Sequence, residues 1–437
     1  MNARQVAGAV DYLAAFEQFG HALPGQHVDW LAEARAEAIG RFAQQGFPSQ
    51  RDEDWKYTSV SGIENGHFAV NIPPAAAEPA LAALVAAQTL PDSHLLVFVD
   101  GRLAPELCRP GRLPAGVVLG SLAAQIEAGA PELEEHLVCY PPPSAFADLN
   151  LAFMADGAYL RLPPGATVKA PIQWLFVART AASAVQPRNL VLAGEGSAAV
   201  IVEQHVALTA DSYFTNVVSD LVLAAGASLE HHKLQQENAR AFHIATVNVA
   251  QAAGSHFVSG AYAFGGRLAR TGIAVALQGE GAACTLDGLY VTDGRQHVDH
   301  HTRIDHRQPG CTSRELYKGV LAGAARAVFS GRIVVHPDAQ GSDARQTNHN
   351  LLLSEQAEID SKPQLEIWAD DVQCSHGATV GQLDEDQVFY LRARGLAEAT
   401  ARLMLTRAFA MEVVGRVGPF AVQERLDAVL QDRLPRA

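Results

Sequence analysis

Cysteine is scarce in this chain. Five residues, Cys108, Cys139, Cys284, Cys311 and Cys374, are scattered over 437 positions. An odd count at such wide spacing is not a disulfide framework. No CxxC pair occurs, which excludes a self-contained zinc knuckle or a ferredoxin-type cluster motif. Positive charge is short too. There are 33 Lys and Arg against 47 Asp and Glu, a formal net charge of −14. Such a balance argues against nucleic acid and anionic membrane as partners. Long apolar runs are missing. The longest span without Asp, Glu, Lys or Arg, residues 241–266, is broken throughout by His, Asn, Gln, Ser and Gly. It reads as strands and turns, not as a membrane helix. The opening MNARQVAGAVDYLAAFEQ contains Asp11 and Glu17 and no apolar core of a secretory leader, so a cytoplasmic location is expected. GxSxG, the phosphate-binding loop and a dinucleotide-binding GxGxxG between strand and helix are all absent. Acids are plentiful, but no spacing singles out a catalytic couple.

At about 100–200 residues per domain the length suggests two or three units, unless an elongated repeat takes most of it as one body. Residues 1–93 read as a helical region with a linker. Apolar residues recur at three- and four-residue spacing in VDYLAAFEQF and WLAEARAEAIGRFAQQG, and Gly46 and Pro48 end the second helix. In SQRDEDWKYTSV, Trp55 and Tyr57 stand in a highly charged segment. They either pin it to a neighbouring domain or belong to an ordinary surface turn. The Ala/Pro-rich stretch 73–93 suggests a linker with a short helix, and residues 94–157 are mixed. From 158 to 395 short strands follow one another. Gly-Ser, Gly-Ala or Gly-Cys pairs begin at Gly196, Gly226, Gly254, Gly281 and Gly310, at intervals of 27 to 30 residues. Further turns at Gly323, Gly341 and Glu355 come at shorter spacing. A fixed period of this size with strand content predicts a β-solenoid. Glycine suits it, because tight corners need positive φ and small residues let turns stack. Residues 396–437 return to helix. These helices either cap the open end of the solenoid or offer a docking surface to a partner.

Two stretches carry possible metal chemistry. In DDVQCSHGATVG, residues 370–381, Cys374 and His376 lie two apart in a strand and so project to one face. A thiolate beside an imidazole suits zinc or iron, but two donors are half a tetrahedral site. The plain alternative is a buried Cys and a hydrogen-bonded His. In GRQHVDHHTRIDHRQPGC, residues 294–311, alternation splits the histidines. His297, Asp299, His301, Arg303 and Asp305 take one face, expected as a hydrogen-bonded ladder on a wet surface. His300, Thr302, Ile304 and His306 take the other. His231 and His232 are likewise split.

Residues 314–395 resemble the SufB/SufD family of iron–sulfur cluster assembly proteins, above all in SKPQLEIWADDVQCSHGATVG and DQVFYLRARG. DEDWKYT near the N-terminus is similar to that family's Trp-x-Tyr-Thr segment. Where this chain reads CSHGATVG, the SufB branch is expected to read more like EHEATT with extra cysteines nearby, so the SufD branch fits better. The resemblance implies a right-handed parallel β-helix flanked by N- and C-terminal helical regions. It implies a non-catalytic scaffold that pairs with SufB and docks the SufC ATPase through the C-terminal helices. Leu396, Ala399, Leu403, Met404, Ala408 and Met411 are the expected docking positions. A transient Fe–S cluster would be built at the SufB–SufD interface with Cys374 and His376 contributing, on sulfur from a cysteine desulfurase. A reduced flavin is associated with such complexes, but no flavin motif is visible here. A homodimer is plausible in isolation, since exposed solenoid edges invite pairing. The rival functions are a solenoid carbohydrate-active enzyme with an acid-lined groove, a purely structural paralogue without cluster ligands, and a self-contained metalloprotein.

Overall fold

The structure, a computed structural model, describes residues 3–70, 78–138 and 144–434. Cys139 and the first part of the Ala/Pro-rich stretch lie outside the described residues. The chain forms a parallel β-solenoid of about eight turns. Each turn gives one strand to each of two ten-stranded sheets. The first sheet runs from His94–Val99 through Ile172–Ala178 and Ala198–Ala207 to Ser342–Leu352 and Val372–Gly381. The second runs from Ala158–Leu162 through Phe214–Leu223 and Phe242–Gln251 to Arg326–Val335 and Glu358–Ile367. Most strand residues before the last turns are buried, because both faces of the sheets are covered, yet polar and charged residues interrupt most of the strands.

The glycine period has a direct cause. Gly196, Gly226, Gly254, Gly281, Gly310 and Gly341 all take positive φ where the chain turns from the second sheet into the first. They stack: a Cβ built on Gly341 would stand 3.7 Å from the backbone nitrogen of Gly310. Gly294 and Gly323 form a separate column at the opposite corner, also at positive φ. The shorter spacing beyond Gly310 therefore comes from two interleaved corner columns, not from shorter turns.

The strands begin before residue 158. His94–Val99 already pairs in parallel with Ile172–Ala178. They stop at Gly381. Glu385–Ala393 is a helix, with the Asp384 side chain accepting from the Asp386 amide and two acids in its first turn. The polar N-cap and acidic start favour helix there over a buried strand.

Three apolar layers result. Inward side chains such as Trp174, Ile201, Leu229, Phe257 and Ile304 fill the solenoid. Helices Asp29–Gln45 and Ala145–Phe153 cover the outer face of the second sheet, packing on Phe214, Phe242 and Leu268. Helices Glu398–Val414 and Phe420–Arg433 cover the outer face of the first sheet, where Val413, Val422 and Leu426 meet Val202, Leu234, Leu289 and Val320. The C-terminal helices thus lie along the flank and do not cap the end. Trp55 pins the N-terminal region as one of the two readings expected. The Arg270 guanidinium lies 3.9 Å from its ring centroid, and Phe146 packs at 5.2 Å. Tyr57 remains exposed.

Candidate functional site

Val372–Gly381 is the last strand of the first sheet and Glu358–Ile367 the last of the second. Together they form the final turn, and each leaves one edge without a partner strand among the described residues. Val372 and Cys374 pack against the solenoid interior. By alternation His376, Ala378 and Val380 share that inner face. Among the described residues no further turn covers them. Cys374 is half-buried and His376 is exposed. Trp368 at 67 % and Val380 at 52 % exposure flank the opening. The structure therefore brings Cys374 and His376 to one face at the open mouth of the solenoid.

Burial pushes the Cys374 thiol up, Asp343 adds to this, and an amide hydrogen bond at Ala344 opposes it. Burial and the neighbouring carboxylate both disfavour the thiolate. Among the described residues no three His, Cys, Asp or Glu side chains converge to hold a metal ion. The pair remains a two-donor site, and a tetrahedral centre would need donors from outside this set.

Below the mouth the interior is polar. His376 stands in register with Gln346, and Gln346 with Glu315. Gln346 Nε2 donates to Glu315 Oε2 at 2.6 Å, and both residues are buried. Burial raises Glu315 to about 7, against the hydrogen bond from Gln346. Asn350 Nδ2 donates to Asn348 Oδ1 at 2.7 Å, and Ser361 Oγ donates to the same oxygen at 2.7 Å. Sequence reasoning missed this column. Its signal was the inward parity of Glu315, Gln346, Asn348 and Asn350, which continues the register of Ala344.

A second buried network was missed in the earlier turns. Glu203 accepts from His205 Nε2 at 2.7 Å, His231 Nε2 at 3.0 Å, Lys233 Nζ at 2.9 Å and Ser219 Oγ at 3.2 Å. Burial works to raise Glu203, but Lys233 and the two histidines override it and hold the carboxyl well below its ordinary range. Glu237 sits beside His243 at 2.7 Å and accepts from Thr215 Oγ1 at 3.0 Å. His231 belongs to this interior network, while His232 on the outer face pairs with Glu230 at 3.1 Å.

The histidine-rich strand, His297–His306, splits as its alternation predicts, but its outer face is not wet throughout. Asp299 is fully buried beneath the N-terminal segment. Thr58 Oγ1 donates to it at 2.5 Å and lies 2.9 Å from His297 Nε2, and Arg270 forms an ion pair with it. The segment 52–58 covers this end of the ladder. Inside, His300 is buried with both ring nitrogens unpartnered among the described residues, and His306 Nε2 lies 2.9 Å from Ser313 Oγ.

The expected docking positions do not share one environment. Leu403 and Met411 pack partly against the flank core, and Leu396 is half-buried. Ala399, Met404 and Ala408 are exposed. Phe389, Tyr390 and Phe420 are large exposed aromatics nearby that the helical spacing did not single out. Lys318 and Glu412 pair across to the first sheet, and Arg416 Nε meets Asp287 Oδ2 at 2.9 Å.

Fold and site together define a β-solenoid with helical flanks and a bare end turn carrying a thiol and an imidazole. Among the described residues no helix is long and apolar enough to cross a membrane. Comparison with known proteins gives the class a family. The SUF system FeS cluster assembly, SufBD core domain model matches residues 176–409, and the SufBD protein N-terminal region model matches residues 7–174. The iron–sulfur cluster assembly protein SufD of Escherichia coli is 31 % identical over 434 residues, covering 98 % of this chain and 99 % of that one. An iron–sulfur cluster assembly SufBD family protein of Synechocystis sp. is 33 % identical over 413 residues, 91 % of this chain and 89 % of the relative. SufD of Bacillus subtilis is 27 % identical over 293 residues, 65 % of this chain and 66 % of the relative. The chain belongs to the SufBD family of iron–sulfur cluster assembly proteins, and it is SufD-like.

Proposed function

We propose that this chain is a non-catalytic scaffold subunit of a cytoplasmic SufBCD-type complex, which pairs with SufB through its bare end turn and donates Cys374 and His376 to a cluster built between the two. The observation that carries this reading is the coincidence of two features on one turn. The strand edges free to accept another chain and the Cys/His pair lacking further donors are the same strand, Val372–Gly381. Edge strands of this length are templates for pairing, so a second solenoid docked there would cover the site and supply the missing ligands. The cluster is cargo in this scheme. Sulfur comes from a cysteine desulfurase, and no residue here is assigned to a flavin.

The SufC ATPase would dock on the C-terminal helices, where Ala399, Met404, Ala408 and Phe420 are exposed. ATP-driven dimerisation of SufC would then pull on helices bound to the first sheet through Lys318–Glu412 and Asp287–Arg416. A few kcal/mol of differential binding would suffice to bias a two-state interface. The saccharide-enzyme reading gains no support. A groove of about 240 Å³ on the second sheet's outer face is lined by Arg270, Arg303 and Arg332 with Asp54 as its one acid, in place of paired carboxylates.

The test is anaerobic reconstitution with SufB and SufC, comparing wild type with the Cys374→Ala/His376→Ala variant. The expected result is a complex that assembles but carries little iron and acid-labile sulfide. Normal loading would make the pair structural and the chain a scaffold of shape alone.

A further inference from the structure

The groove of about 240 Å³ on the outer face of the second sheet is basic, in a chain of net charge −14. Arg303 and Arg332 are in register on neighbouring strands. Such positions lie about 4.8 Å apart across a ladder, and like charges placed so repel. Arg303 is held by Asp305, with Nε to Oδ2 at 2.7 Å and Nη2 to Oδ1 at 2.9 Å. Arg332 is held loosely. Among the described residues it has no hydrogen-bond or ion-pair partner closer than 3.5 Å, the distance of both Gln364 Oε1 and Glu366 Oε1. Arg270 stands at the other end of the groove, four positions before the Ala274 that pairs with Arg303, or about 13 Å along the strand. Its guanidinium lies on the Trp55 ring and makes one hydrogen bond among the described residues, from Nη1 to Asp299. The balancing carboxylates Asp299 and Asp305 are buried, while Arg303 is exposed and Arg332 half-buried. The floor between the two ends is low. A Cβ built on Gly272, which pairs with His301, would meet nothing nearer than the Ala245 carbonyl oxygen at 3.7 Å.

We propose that this groove binds the diphosphate group of a small anion, held by Arg332 and Arg303 at one end and by Arg270 at the other. Guanidinium forks match phosphate oxygens in pairs, and cationic donors at both ends suit a charge spread over two phosphates. Arg332 supplies the uncommitted fork, and the bound anion relieves its repulsion from Arg303. The volume falls below the range that encloses a drug-sized ligand. The occupant is therefore free diphosphate or the diphosphate end of a nucleotide whose remainder stays outside. Asp54, exposed on the N-terminal segment, is the one acid on the lining and opposes binding. The site lies on the outer face of the solenoid and does not depend on Cys374 or His376 being ligands.

The test is isothermal titration calorimetry of the full chain with pyrophosphate, ADP and malonate, each at millimolar concentration and without divalent cations. Pyrophosphate or ADP should bind at a single site, and malonate, a dicarboxylate, much more weakly. Whichever of the first two binds more tightly identifies the source of the diphosphate. Arg332→Gln should weaken that binding about tenfold or more, as the loss of a hydrogen bond between charged groups does. Gly272→Val raises the floor with a residue that suits a strand and should abolish binding, while Asp54→Asn should tighten it a few-fold. No binding of either phosphate compound to wild type overturns the proposal, and this result needs no variant to fold. Malonate binding as tightly as pyrophosphate and ADP overturns it as well. So does binding that is unchanged in a folded Arg332→Gln chain, since the anion then sits elsewhere.

Discussion

The His300→Phe substitution separates the cost of a buried imidazole from its packing. His300 lies inside the solenoid, with Tyr290 at 5.4 Å and Tyr317 at 5.2 Å between ring centroids. Burial lowers its pKa to about 4 from an ordinary 6.5, with Asp299 opposing and His301 assisting. A folded-state value below the unfolded one means stability that is present above about pH 6.5 and is lost as pH falls toward 4. Between about pH 7.5 and pH 5 the unfolded chain takes up this proton and the folded chain does not, which costs about 2 kcal/mol. Phenylalanine removes that loss. It also removes two unpartnered ring nitrogens, worth about 1 kcal/mol or more each, while its larger ring adds about 1–3 kcal/mol of crowding. The sign at neutral pH is thus a contest, but the pH dependence is not. Glu315, raised to about 7, gives stability that is lost as pH rises through that value; it does so in both proteins and cancels in the comparison. Denaturant unfolding of wild type and His300→Phe at the two pH values should therefore show the variant losing about 2 kcal/mol less on acidification. Equal losses in the two proteins would mean that His300 is protonated in the folded state or is satisfied there, and the reasoning would fail.

Two further substitutions probe the other buried charges. Lys233→Met removes the ammonium from Glu203 while two histidines and Ser219 remain, and should cost about 3–5 kcal/mol at neutral pH, as breaking a buried pair does. Adding Glu203→Gln to it should recover part of that loss in the same unfolding assay, and a single variant as stable as wild type would show the carboxylate does not depend on Lys233. Thr58→Val keeps the shape at the covered end of the histidine-rich strand but takes a donor from buried Asp299, for an expected cost of about 2 kcal/mol. That cost should shrink sharply in an Asp299→Asn background, and if it persists there the loss comes from packing and not from the hydrogen bond.

The solenoid was legible because its signal is geometric and repeats. A corner that must take positive φ selects glycine at Gly196, Gly226, Gly254, Gly281 and Gly310, whatever the rest of the turn contains. The register of Cys374 and His376 was legible for a similarly local reason, since alternation along one strand needs no tertiary information. The interior polar column was hidden because alternation assigns a face without saying whether that face is dry. Glu315 and Gln346 look like ordinary solvated residues until the second sheet is known to close over them. The ladder at His297–Asp305 failed in the opposite sense. Its outer face was read as wet, but Asp299 is covered by a segment some 240 positions earlier in the chain, and only the Thr58 and Trp55 contacts reveal it.

The position of Cys374 and His376 gains its meaning from the end of the stack. An inward thiol in a middle turn is sealed, as Cys284 is at 2 % exposure with its pKa driven up by burial. The same inward orientation in the last turn opens onto solvent, because among the described residues no further turn follows and the C-terminal helices lie along the flank instead of across the opening. A chain that needed only a stable solenoid would gain from folding those helices over the exposed Trp368 and Val380. Leaving that turn bare keeps apolar surface, free strand edges, a thiol and an imidazole together in water, and under the function proposed above one event, the docking of another chain against the final turn, would satisfy all of them.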